Sequence, residues 1–199
     1  FALGNLGSLA FKAGRYQEAE ELWEKALVVA KKNPQKSGFA MHLNNLAMLR
    51  RKQGRLEEAK SLLKRALARA ENSGSKPTMA NSHMQLGLVA VAQGDFARAE
   101  KQLNRALEID RAAENTIGIA QDLEQIGRLR QQQQLWEKAF LDLDRAIRLY
   151  RALGKMEKVN QLYELLEINK AQGEVPESLE LYEGLLAPPD EFWVSPLCR

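Results

Sequence analysis

The residues best suited to metal or thiol chemistry are scarce in this 199-residue chain: two histidines, His42 and His83, and one cysteine, Cys198. A zinc site needs three or four clustered nitrogen, sulfur or carboxylate ligands. His42 and His83 have no carboxylate grouped with them. No glycine-rich phosphate loop, no histidine pair one helical turn apart and no nucleophile motif occurs along the chain. No enzyme activity is expected, and no cofactor or metal. What remains is non-covalent recognition by cations, amides and methionines. Residues 41–80 hold nine Lys and Arg against three Glu, with Arg50, Arg51, Lys52 and Arg55 grouped. Residues 161–199 carry a net charge of −6, from Glu174, Glu177, Glu180, Glu183, Asp190 and Glu191 among others. The modest total of +3 hides this polarity.

The elements that position these side chains follow from a repeat. Gly14, Gly54 and Gly94 stand 40 residues apart, Gln134 continues the series and Gly173 follows after 39. Further columns read Ala19, Ala59, Ala99, Ala139 and Ser178, then Ala26, Ala66, Ala106 and Ala146. A fourth pairs a branched residue with a small one in Leu6-Gly7, Leu46-Ala47, Leu86-Gly87 and Ile126-Gly127. Apolar residues recur three and four apart on both sides of each glycine, so each unit reads as two amphipathic helices. The glycine takes the left-handed conformation that ends the first helix, and the second packs back antiparallel. The small columns let the two backbones approach where they cross. Gln134 must adopt that conformation at a cost of about 1 kcal/mol or shift the turn. Breakers at Asn33-Pro34, Asn72-Ser73-Gly74 with Pro77, Asn115-Thr116 with Gly118, and Gly154 separate the units.

Leu6-Gly7, Gly14, Tyr16, Ala19, Trp23 and Ala26, with the same columns in the next three units, resemble the tetratricopeptide repeat family. The resemblance covers residues 1–187 in five units, about 1–38, 39–78, 79–118, 119–157 and 158–187. The fifth, with Gly173, Ser178 and Tyr182, is degenerate. The period exceeds the 34 residues usual for the family, and the usual proline after the second helix is missing. Leu43-Asn44-Asn45-Leu46-Ala47, followed by Gln53-Gly54-Arg55-Leu56-Glu57-Glu58-Ala59, is similar to the longer repeats of kinesin light chains and spindle-orientation adaptors. The resemblance implies an all-α, right-handed solenoid of about five antiparallel helix pairs that acts as a protein-interaction module.

In such a superhelix the first helices line the concave wall. The residues implied to look into it are Phe1, Gly4, Ser8 and Phe11; Met41, Asn44, Met48 and Arg51; Asn81, Met84, Leu88 and Val91; Gln121, Glu124, Arg128 and Gln131; then Asn160, Tyr163, Glu167 and Lys170. The groove is then apolar in its first half and polar in its second. Methionine suits a surface that adapts to a peptide. Asn5, Asn45, Gln85 and Gln125 occupy one column, where amides could hold an extended ligand's backbone or tie neighbouring units together. The candidate peptide contacts are Met41, Asn44, Asn45, Met48, Arg51, Lys52, Asn81, Met84, Gln85, Leu88, Val91, Gln125 and Arg128. The carboxylate clamp of chaperone-binding members is not matched by Gly4, Ser8, Asn45, Asn81 and Gln85, so no binding of chaperone tails is expected.

The partner expected is a protein or peptide, acidic or apolar, with head-to-tail contact between copies as the alternative. Nucleic acid is not expected, because no aromatic residues alternate with the basic ones. No apolar run approaches the roughly 18 residues of a membrane span, so no membrane is expected. A lone cysteine points to a reducing, cytoplasmic compartment. Phe1 is not a methionine, so further units or another domain could precede it. Residues 188–199, opening with Pro188-Pro189, leave the helical pattern. Phe192 and Trp193 are expected there to cap the stack, or else to dock into a groove.

Overall fold

A computed structural model describes residues 2–32 and 38–171, the side chains of 32 and 167–171 excepted. The second helix expected of the fifth unit, the tail at 188–199, Pro34 and the acidic run from Glu174 onward lie outside the described residues.

Nine α-helices and no strands make up the described residues: α1 Ala2–Lys12, α2 Tyr16–Lys32, α3 Phe39–Lys52, α4 Leu56–Ser73, α5 Lys76–Ala92, α6 Phe96–Ala112, α7 Thr116–Gln132, α8 Trp136–Ala152 and α9 Met156–Ala171. The expected columns explain how they pair. Gly14, Gly54 and Gly94 have φ of 76°, 75° and 75°, each ending the first helix of a pair. Gln134 adopts φ 60° at the same point, so the turn keeps its place and a side chain bears the strain.

The small columns then set how close the helices of a pair come. Ala19, Ala59, Ala99 and Ala139 are all at most 1 % exposed. A Cβ added at Gly87 would stand 2.8 Å from Leu103 Cγ, and one at Gly127 2.7 Å from Leu143 Cγ. Trp23 holds the corresponding place over Gly7 and donates its indole N–H to Gly4 O at 3.2 Å. A large residue on the second helix thus fills the notch a glycine leaves on the first.

Between units, α4 ends on Gly74 in the left-handed conformation, φ 67°, and α8 on Gly154, also φ 67°. The third joint departs from expectation. Glu114, not a glycine, takes the left-handed turn at φ 53°, and the Asn115 side chain accepts from Gly118 N at 3.3 Å to cap α7. Gly118 is inside α7, where a Cβ would stand 2.0 Å from Asp110 Oδ2, so close approach of a buried carboxyl explains it, not a break. Pro77 likewise lies in the first turn of α5, where its missing N–H costs nothing. Helices α5, α7 and α9 begin two or three residues ahead of the unit starts expected at 79, 119 and 158.

Packing is tightest within each pair and next between a second helix and the first helix that follows it. First helices also touch one another, α3 with α5 and α5 with α7, whereas second helices are splayed apart. The stack therefore curves with its first helices on the inside.

Candidate functional site

The inner wall is built from α3, α5 and α7, and burial sorts its candidate residues into three groups. Met48, Met84, Leu88, Val91 and Arg51 are half-buried, while Met41 and Asn81 are exposed at the wall's rim. Met48 rests on the cluster formed by Ala10, Trp23, Leu46 and Leu49, and Met84 and Val91 rest on the larger cluster running from Ala90 to Leu166. Each therefore has one side anchored in the core and one facing the wall. Lys52 lies over the Tyr16 ring, with Nζ 5.7 Å from its centroid, and is thereby held beside the turn of the first unit.

A second group is buried. Asn44 is 3 % exposed and accepts from Ser82 Oγ at 3.0 Å, so its amide ties α3 to α5. Gln85 is also buried, at 7 % exposure. Asn44 was expected to face a ligand, and Gln85 either to face one or to tie neighbouring units together; neither reaches a ligand without opening a joint. The even ladder of amides is thereby interrupted: Asn5 is exposed, Asn45 and Gln125 half-buried, Gln85 enclosed. The expectation failed because residues on a curved stack's inner helices also face the next first helix, which a single helix's periodicity does not show.

The third group compensates itself. Glu124 accepts from Tyr150 Oη at 2.9 Å, from Arg128 Nε at 3.2 Å and from Lys158 Nζ at 3.3 Å, joining α7, α8 and α9. Burial, and then the adjacent Glu124 carboxylate, push the Tyr150 phenol well above its ordinary range. Arg128, a candidate contact, is half-buried and spent on this node. Tyr150 and Lys158 were not singled out from sequence, and no local pattern marks them.

Gln85 Oε1 is buried without a partner, and Arg51 is a cation in the same situation. Its Nε is buried without a partner, and no carboxylate among the described residues pairs with it. Burial lowers its pKa from the ordinary arginine value with no opposing effect. By contrast Arg50, next to it, is held between Glu20 and Glu58, and its pKa is raised by the Glu20 hydrogen bond. A half-desolvated cation with no counterion is costly unless something supplies one.

The histidines face apart. His42 is buried against Gly4 and Gly38, and burial lowers its pKa; His83 Nδ1 lies 2.8 Å from Gln102 Oε1 on α6. Among the described residues no group of three or more His, Cys, Asp or Glu could hold a metal ion. No helix among them is long and apolar enough to cross a membrane.

Stacked helix pairs with a continuous inner wall define a helical-repeat scaffold, a class built to hold other proteins. A tetratricopeptide repeat profile matches residues 1–72, 38–112 and 78–152, and the chain belongs to that family. The family is in general a non-catalytic, protein-interaction fold. No curated protein sequence matches the chain. Among solved structures it is similar to BtubC (BKLC) from P. vanneervenii, with TM-score 0.60 and 20 % identity over 85 % of this chain and 79 % of that one. RapI in its apo form gives 0.61 and 14 % over 92 % of this chain, which spans only 57 % of RapI's length. Kinesin light chain TPR-like repeats of Podosopora anserina give 0.50 and 17 %, covering 86 % and 95 %. At these identities the likeness is one of fold.

Proposed function

We propose that this chain binds an extended, acidic and apolar segment of a partner protein along the inner wall of its second and third units. The observation that carries the proposal is Arg51, half-buried, without a carboxylate, beside the soft apolar wall of Met48, Met84, Leu88 and Val91. A carboxylate from a guest would supply the missing counterion, and apolar side chains of the guest would lie on the methionines. Asn81, Met41 and Asn45 stand at the rim to meet its backbone. The reading needs no residue of the Glu124 node.

Peptides selected from a random library on the intact protein test this. The expected binders carry an acidic residue next to apolar ones, and Arg51→Glu or Met84→Asp weakens them about tenfold, the worth of one charged hydrogen bond. Arg65→Glu, exposed on α4, makes the same charge change and leaves binding intact. Selected peptides that bind both wall variants as well as the parent would sink the proposal. The opposed charges of residues 41–80 and 161–199 favour a second reading, self-association through the ends with an empty groove. Sedimentation showing concentration-dependent oligomers, unaffected by Arg51→Glu, would favour it.

A further inference from the structure

The outer side of the stack carries a second opening, independent of the inner wall. On this side two neighbouring second helices flank the first helix between them. The repeat lets the three joints be compared position by position. In the first, Arg50 of α3 is bonded to Glu20 of α2 and lies 3.6 Å from Glu58 of α4. Its side chain is only 11 % exposed, and the Arg50 hydrogen bond holds the Glu20 carboxyl below its ordinary pKa. In the third, Arg130 of α7, forty residues twice over from Arg50, pairs with Asp142 of α8. In both, an arginine of a first helix meets a carboxylate of a second helix.

The middle joint inverts this arrangement. Ala90 stands where the other joints have arginine, Lys60 where the first has Glu20, Arg98 where it has Glu58, and Gln102 where the third has Asp142. The space is left open as a cleft of about 360 Å³, floored by Leu86, Val89 and Ala90 and rimmed by Lys60, Lys64 and Arg98. Two of the three rim cations meet a resident acid, one of these acids, Glu57, also accepts from Gln93 Nε2 at 2.9 Å, and the third cation is left over. Glu57, 76 % exposed, lies 3.6 Å from Lys60, and Asp95 pairs with Arg98 at 3.3 Å on its own helix. Lys64 has no ion-pair partner among the described residues.

We infer that this cleft is a docking site for a glutamate side chain presented by an acidic protein segment. In the neighbouring joints an arginine rooted in the floor helix carries its charged head to the rim, and a guest side chain lying along the open cleft can place its own head there. The exchanged charges reverse the sign of that head. Lys60, Lys64 and Arg98 then supply the hydrogen bonds that Glu20 and Glu58 receive from Arg50 in the first joint. An inorganic anion shares the head's chemistry and lacks the stem.

Nuclear magnetic resonance of the full chain distinguishes the sources, through the side-chain amide signals of Gln93 and Gln102 at the cleft. Hexaglutamate is expected to shift both signals saturably, and inorganic phosphate at equal charge concentration to leave them in place. Lys64→Glu is expected to weaken the response about tenfold, and Lys155→Glu, equally exposed but far along the chain, to leave it unchanged. The paired change Lys60→Glu with Ala90→Arg rebuilds the Glu20–Arg50 pair of the first joint. It is expected to abolish the response and raise the melting temperature. Signals unmoved by hexaglutamate, moved equally by phosphate, or still moved in the rebuilt variant overturn the inference. None of these outcomes depends on Arg51, so the inner-wall proposal stands or falls separately.

Discussion

The two halves of the inner wall have similar backbones and opposite economies of polar groups. In units two and three the wall is methionine, leucine and valine, with an arginine among them that no carboxylate of the described residues pairs. In unit four the same positions hold Glu124 and Arg128, bonded to each other and onward to Tyr150 and Lys158. Behind them the Asp110 and Asp122 carboxyls face each other, with Asn115 donating to Asp110 at 2.9 Å, while Asp122 Oδ2 and Gln131 Nε2 are buried without a partner. The contrast teaches that polarity by itself does not make a binding surface. A polar group satisfied within the stack is a joint, and one left unsatisfied offers a guest something to bond.

The largest expected effect lies in the polar half. Burial, and then the facing Asp110, push the Asp122 carboxyl up to about 8 from an ordinary 3.8. The folded chain thus holds this proton across a window in which the unfolded chain has lost it. The stabilisation it brings is full below about pH 4 and is lost as pH rises toward 8, amounting to a few kcal/mol. Asp122→Asn keeps a neutral partner for Asp110. Denaturant midpoints measured from pH 4 to 8 should fall less steeply in this variant, a comparison that cancels the other titrating groups. Equal slopes would show that the pair shares no proton.

Next comes the node itself. Glu124→Ala orphans the buried Tyr150 hydroxyl and leaves Arg128 and Lys158 to water, costing about 2 kcal/mol by urea titration. Binding of peptides selected on the wall should survive it, and a tenfold loss of affinity would mean the two halves are not separate. In the open half, Arg51→Glu has the reverse signature, with affinity down about tenfold, or about 1.4 kcal/mol, and the melting temperature not lowered. The smallest effect is at the turn of unit four. Gln134→Gly relieves a side chain held at φ 60° and should raise stability by about 1 kcal/mol with no change in binding.

Much of the fold was legible because its determinants are local and repeated. A glycine at 14, 54 and 94 announces a left-handed helix end, and the structure has one at each. The column held even at Gln134, since neighbouring helices over-determine the turn. Glu114 was not legible as a turn residue, because nothing local marks a glutamate for positive φ; the nearby Gly118 misdirected the reading, being there to admit Asp110. The candidate wall was legible as a set of positions. Which of them face outward was not, for Asn44 and Gln85 are covered by the curvature of the stack. The outer cleft was written in the sequence as the column Arg50, Ala90, Arg130, but its meaning depends on knowing that Glu20 and Glu58 converge on Arg50.

By itself, then, the sequence determined the helix pairs, their turns and the small residues where they cross, since each depends on neighbours within a few turns of helix. The tertiary structure decided which charges are free. Arg50 and Arg51 are adjacent in the chain and identical in type, yet one is held by Glu20, thirty residues away, and the other by no carboxylate among the described residues. Ion pairing is a matter of distance and burial, and those are set by how one helix pair lies on the next.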